Sequence, residues 1–167
     1  MKEISINEFN YNIFNKFGKD WALIVVKDNI EDNAMTISWG QLGILWSRPT
    51  VSVYVRNTRH TKDMLDNVDT FSVCFFNEKY RKELNICGTK SRKEVDKITE
   101  CKFTRSYEDN TLYIKEANIV LILKKIYQVD LPIIETTNST IKKHYNEGEY
   151  HTQYIGEVVK ILINEEM

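Results

Sequence analysis

Arg56, Arg59, His60 and Thr61 fall within six residues, in the stretch Val55 to Thr61 between a strand pattern and a helix start. A phosphate dianion calls for that combination: guanidinium forks, a hydroxyl and the free amides of a helix N-terminus. The same cluster would equally serve as a solvated basic turn. A second stretch, NAMTISWG from Asn33 to Gly40, alternates Ala34, Thr36 and Ser38 on one side with Met35, Ile37 and Trp39 on the other. Small residues with backbone donors and acceptors at their rim suit a flat aromatic ligand, and Gly40 would let backbone approach it. An edge hairpin with solvated hydroxyls is the alternative. The third stretch, CGTKSRKEVDK from Cys87 to Lys97, brings a glycine, two hydroxyls and several cations to a helix start. That too suits an anion, or a solvated loop.

Composition narrows what surrounds these residues. A chain of 167 residues supports one compact domain, expected over 1–167. Its net charge of −1 is spread as interleaved acids and bases, which argues against a nucleic-acid partner. The apolar runs 118–123 and 158–163 are too short to span a membrane, so none is expected. The start, MKEISINEF, lacks the basic-then-apolar pattern of a secretory signal, which makes the cytoplasm the expected compartment. Cys74, Cys87 and Cys101 give no disulfide framework or CxxC pair, and Cys74 reads as a buried small hydrophobe. His60, His144 and His151 have no metal-ligand spacing, so no metal site is expected. Neither a nucleophile–base pair nor paired carboxylates point to a hydrolase.

The elements that must hold the three stretches follow from periodicity. Phe9, Ile13 and Phe17 predict a helix over Asn7 to Phe17, stopped at Gly18. Ala22 to Val26 and Ala34 to Trp39 read as a β-hairpin, and Pro49 opens a strand with Val51, Val53 and Val55 on one face. Thr61 is a candidate cap for a short helix carrying Met64, Leu65 and Val68. A strand over Phe71 to Phe76 precedes a helix over Glu78 to Cys87, capped by Asn77 and stopped at Gly88. Ser91 and Glu94 form a capping-box signature for a helix burying Val95 and Ile98. Further strands are expected at Leu112 to Ile114, Ile119 to Val129 and Tyr154 to Ile163, with a polar, helical excursion at Asn138 to Asn146. Most connections are too short for parallel crossovers, and no GxGxxG or GxxxxGKS motif occurs. The fold class is mainly antiparallel β with peripheral short helices.

The order and spacing of NAMTISWGQLGILWSRPTVSVYVRNTRHT, LNICGTKSRKEVDK and EYHTQYIGEVVKI resemble the flavin reductase-like family of FMN-binding split-barrel proteins, flavoredoxin-type members included. The resemblance implies an antiparallel split β-barrel of Greek-key type. It implies that Asn33, Ala34, Met35, Thr36, Ser38 and Trp39 contact the isoalloxazine and ribityl, and that Arg56, Arg59, His60 and Thr61 hold the phosphate. It brings Cys87, Gly88, Lys90 and Ser91 near the flavin, and His151 near the flavin and the nicotinamide, as the one catalytic candidate. The usual loop of that family reads S-G-R-D-V-D-K, whereas Arg92 stands here where it has the glycine. The implied activity is reduction of bound FMN by NADH or NADPH, with electrons passed to flavin, a redox partner protein or another acceptor. The alternative is an FMN-binding electron carrier without nicotinamide turnover of its own. The implied assembly is a homodimer. Glu157 reads as structural, and Trp46 as packing in the core or at the dimer contact.

Overall fold

The computed structural model describes residues 1–165, so residues 166 and 167 of the expected domain lie outside the described residues. The strands are β1 (Lys2–Ile4), β2 (Ala22–Lys27), β3 (Asp32–Ile37), β4 (Gly40–Leu45), β5 (Arg48–Arg56), β6 (Thr70–Phe75), β7 (Arg105–Glu108), β8 (Thr111–Ile114), β9 (Ile119–Leu131) and β10 (His151–Ile163). Short helices intervene: α1 (Ile13–Asn15), α2 (His60–Asp66), α3 (Arg81–Thr89), α4 (Lys97–Glu100) and α5 (Ser139–Lys142).

Eight strands form one antiparallel sheet in the order β3-β2-β6-β9-β10-β5-β4, with β1 also paired to β10, while β7 and β8 make a separate ribbon. The two edge strands, β3 and β4, are consecutive in the chain with only Ser38 and Trp39 between them. Edges joined by so short a link must lie close, and the sheet curls into a split barrel. The apolar run of β2 has a reason in this architecture, because both its faces are buried. Ala22, Ile24 and Val26 point into the barrel with Met35, Ile37, Val51, Val53, Val55, Phe71, Val73 and Leu121. Leu23 and Val25 point outward, into a second core with Ala34, Cys74, Leu84, Ile98 and Leu112 beneath α3, α4 and the ribbon.

Several local expectations need correction. The helix expected over Asn7 to Phe17 is broken: a 3-10 turn covers Ile6–Glu8, Phe9 is extended, and helical backbone returns only at α1 and a π-turn over Lys16–Asp20. Gly18 lies inside that π-turn, and the chain breaks at Trp21, whose φ is 67°. Asn12 caps α1 by accepting from the Asn15 amide at 3.1 Å. Helix α2 begins at His60 with Arg59 in the cap position, so Thr61 is a buried first-turn residue and not the cap. Gly88 sits within α3, packed against Thr36, and the helix ends at Lys90. Ser91 and Glu94 do close on each other, yet they fold a turn; Asp96 caps the helix that follows, accepting from the Thr99 amide at 3.1 Å. Strands β1, β4 and β7 carry no alternation strong enough to be read in advance.

Candidate functional site

The hairpin β2–β3 pairs as expected, Val25 opposite Ala34 and Leu23 opposite Thr36. Its faces divide as expected, Met35 and Ile37 toward the barrel and Ala34 toward the second core. The Thr36 side is roofed by α3, where the Thr36 hydroxyl donates to the Leu84 carbonyl and a Cβ added at Gly88 would lie 3.2 Å from the Thr36 Cβ. Gly40 serves packing too, since a Cβ there would meet the Phe17 ring at 2.4 Å. What remains open is the C-terminal end of β3. There Met35, Thr36, Ile37, Ser38, Trp39, Tyr54, Arg56, Arg59 and His151 line a groove of about 220 Å³.

Beside it, sharing Met35 and Arg59, lies a smaller cavity of about 100 Å³. It brings together members of all three stretches read from the sequence: Asn33 and Met35; Arg59, His60 and Thr61; Cys87, Lys90, Ser91 and Arg92. The antiparallel order places β3 next to the start of α2, and the Asn33 amide Nδ2 donates to the Thr61 hydroxyl at 2.9 Å. The other end of that amide, Oδ1, is buried with no hydrogen-bond partner among the described residues. A buried acceptor left unpaired costs about 1–3 kcal/mol, so this one awaits a donor.

Lys97 completes the cavity, and it was absent from the residues the resemblance singled out. It is only 3% exposed, and its ammonium donates to the Cys87 carbonyl at 3.2 Å. Burial pulls its pKa down to about 8. A cation kept this dry without a carboxylate invites an anion. Its place directly after the Asp96 cap, at the end of a cationic loop, marks it only weakly, and nothing local announces its burial.

The other basic residues divide. Arg59 is exposed and its side chain makes no hydrogen bond or ion pair among the described residues, so its guanidinium is free to meet a ligand. Arg56 is committed, to Glu149 at 3.1 Å and to the His144 carbonyl at 3.0 Å. His60 Nε2 lies 2.5 Å from Glu31. Lys90 pairs with Glu100. Arg92 reaches across to the hairpin turn, Nε donating to the Asp32 carbonyl at 2.8 Å with Glu31 at 3.6 Å. The Ser91 hydroxyl accepts from the Lys93 amide at 3.2 Å. Cys87 is buried with its sulfur 3.8 Å from that of Cys101, and burial raises both thiols above their ordinary pKa, leaving them protonated. Cys74 is fully buried, as expected.

At the far end of the groove, His151 opens β10 opposite Arg56 and is 7% exposed. Burial and then Arg56 hold its pKa down to about 4, which makes it neutral near pH 7. The Trp39 ring lies 4.9 Å from it, centroid to centroid. Beyond Trp39 a third cavity, about 990 Å³, shares Ser38, Trp39 and Tyr54 with the groove and is walled by Tyr11, Phe14, Phe17 and Leu131. Two expectations about neighbouring residues resolve differently. Glu157 takes a two-pronged bond from Arg48 at 2.8 and 2.7 Å, as a structural pair. Trp46 lies outside the core, 59% exposed on the β4–β5 turn against Tyr127, because its φ of 51° turns the chain there.

The arrangement offers an anion site with one free guanidinium and one buried ammonium, a nearby acceptor suited to a hydroxyl, and a groove edged by rings and a neutral imidazole. A flavin mononucleotide has those parts in that order: the unpaired Asn33 oxygen fits a ribityl hydroxyl, and the Lys97 ammonium, which has no carboxylate partner among the described residues, fits the phosphate.

A family model described as the flavin reductase like domain matches residues 14–167. Among solved structures, the chain is similar to flavoredoxin from Methanosarcina acetivorans, at 19% identity over 99% of this chain and 77% of that one, with a TM-score of 0.72. It is similar to an FMN-binding protein from Thermus thermophilus with bound p-hydroxybenzaldehyde, at 16% identity over 99% and 83%, with a TM-score of 0.69. An NADH:FAD oxidoreductase from Streptomyces globisporus matches at 18% identity over 91% and 79%, with a TM-score of 0.66. At these identities the likeness is one of fold. No curated protein matches the chain.

Proposed function

Because this chain belongs to the flavin reductase-like family, we propose that it binds FMN and acts as an oxidoreductase that takes electrons from NADH or NADPH and passes them to flavin or a partner acceptor. The observation that carries the reading is the buried Lys97 ammonium beside the unpaired Asn33 oxygen, one cavity away from a ring-edged groove. Lys97, Arg59 and Thr61 would hold the phosphate, with His60 and the α2 amides alongside. Asn33 would accept from a ribityl hydroxyl. Met35, Ser38 and Trp39 would border the isoalloxazine. When bound, FMN supplies the hydride chemistry; the protein contributes binding, orientation and dipoles. His151, neutral near pH 7, offers a hydrogen bond without a full charge.

The groove of about 220 Å³ is small for a cofactor of this size, which ordinarily occupies roughly 300–1,000 Å³. A second copy would supply the missing wall, and Ile44, Leu45, Trp46, Tyr127, Val129 and Leu131 give one face the exposed apolar character of a homodimer contact. The absorption spectrum of the purified protein tests the cofactor: yellow colour, or recovery of it on adding FMN, is expected. Anaerobic stopped-flow mixing with NADH and with NADPH tests the donor. Rapid bleaching by either supports the oxidoreductase; bleaching by dithionite alone would leave an electron carrier.

A further inference from the structure

Tyr145 belongs to the polar excursion between β9 and β10, after α5, a segment to which neither the sequence reading nor the family gives a role. Its hydroxyl lies 2.8 Å from His151 Nδ1, and the two rings stand edge to face with centroids 5.3 Å apart. Nδ1 is thus occupied from the loop side. Nε2 makes no hydrogen bond among the described residues, and His151 lines the groove.

An imidazole that is neutral has one N–H, and the partner of one nitrogen decides where it sits. Two features make the phenol the donor. An sp² imidazole nitrogen is a stronger acceptor than a phenol oxygen, and the Arg56 guanidinium, 5.5 Å above the Tyr145 ring, favours loss of charge density from the hydroxyl. Arg56 is itself held by Glu149 and the His144 carbonyl, so the whole stack is braced. The charged and titratable groups around the imidazole are Arg56 from β5, Arg59 ahead of α2, and Tyr145 and Glu149 from the loop before β10.

We propose that Tyr145 is a positioning residue for His151: by donating to Nδ1 it fixes the tautomer whose Nε2–H faces the groove. Its bearing on cofactor binding rests on the FMN reading; the tautomer itself does not. A fixed N–H there presents a donor to the carbonyl-rich edge of a flavin without a rotamer or proton search at each binding event.

The test uses histidine labelled with ¹⁵N in the cofactor-free protein near pH 7, with His151→Gln to assign the signals. The expected wild-type spectrum has Nδ1 as an unprotonated acceptor and Nε2 as the protonated nitrogen, and Tyr145→Phe spreads His151 over both tautomers. A wild-type Nδ1–H, or a Tyr145→Phe spectrum unchanged at His151, overturns the proposal; the first of these is read on the wild type alone. FMN titration should then show Tyr145→Phe binding roughly three- to tenfold more weakly, the worth of one ordinary hydrogen bond. Failure of the wild type to bind FMN would refute the cofactor reading and leave the tautomer result standing.

Discussion

The Lys97 ammonium and the Cys87 carbonyl face each other across 3.2 Å at the base of the loop that joins α3 to α4, with no carboxylate paired to the cation among the described residues. That isolation has a consequence for stability. Burial lowers the folded-state pKa to about 8 from 10.5, so between those values the unfolded chain binds more protons than the folded one. Stability of the cofactor-free protein therefore gains from Lys97 as pH rises from about 8 to 10.5, and the unfavourable contribution is fully present below pH 8. Lys97→Met should stabilise the cofactor-free protein at pH 7 and remove that part of the slope. Denaturant melts of both proteins at pH 7.5 and pH 10 check this; parallel changes in the two would refute it. Lys97→Met should at the same time weaken FMN binding.

Arg59 and Arg56 are three residues apart, yet they should behave differently. Arg59 is unpaired, so Arg59→Ala should leave the fold intact and weaken FMN binding by roughly ten- to a hundredfold, the range expected for a charge-assisted hydrogen bond of about 1.5–3 kcal/mol. The loss should shrink at high salt. Arg56→Ala breaks contacts to Glu149 and the His144 carbonyl, and should chiefly loosen residues 144–149. Isothermal titration and hydrogen exchange separate the two effects.

Thr36→Val tests a residue that lines the groove and also bonds to the helix roofing β3. Because its hydroxyl donates to the Leu84 carbonyl under α3, the variant should lose about 0.5–1.5 kcal/mol of stability and leave the bound flavin's spectrum nearly unchanged. A shifted spectrum with unchanged stability would mean that Thr36 acts chiefly on the flavin.

Strand β3 shows what the sequence can carry. Period-two alternation located β3 and β5, and continuous β-favouring runs located β2 and β6; alternation also separated the faces of β3 correctly into Ala34–Thr36 and Met35–Ile37. Alternation is blind to what covers a face, and α3 covers the one with hydroxyls. The three chemically rich stretches do meet in one cavity; residue types marked each stretch, and the resemblance brought them to one site. Lys97 escaped because a lysine near a helix start reads as solvated. Its burial depends on α3 and β3 closing over it, a long-range event with no local signature. The N-terminal helix failed for the opposite reason: Phe9, Ile13 and Phe17 keep helical spacing, while the chain at Phe9 is extended.

Arg92 stands where the usual family loop has glycine, and its bond to the Asp32 carbonyl ties that loop to the β2–β3 turn. The same Asp32 takes two bonds through its carboxylate from Arg105, at 2.6 and 2.9 Å, and Arg105 also grips Asp96, the cap of α4. The loop is thereby ordered before any ligand arrives. Arg92→Gly should raise amide exchange over residues 89–96 in the cofactor-free protein and slow FMN association, with little change in melting temperature. If Arg92 instead met the phosphate directly, the variant would mainly speed FMN release and flatten the salt dependence of binding.

The apolar face on β4, β5 and β9 makes the strongest demand for a partner. Ile44, within β4, is 74% exposed, and Trp46, on the turn that joins β4 to β5, is 59% exposed and leans on Tyr127 with ring centroids 5.8 Å apart. Exposed aromatic and aliphatic side chains in contact with one another cost solvation free energy that only a covering surface recovers. A second copy meeting this face would also stand beside Leu131 and Tyr54, which border the cavity continuous with the groove. Ile44→Lys with Trp46→Lys places two like charges at that contact, and a symmetric dimer would bring four together. Sedimentation should show a wild-type dimer and a monomeric variant, and the variant should hold FMN more weakly although neither residue lines the groove. A variant that stays dimeric would move the contact elsewhere, and a monomeric variant with undiminished FMN affinity would mean that one protomer's groove suffices.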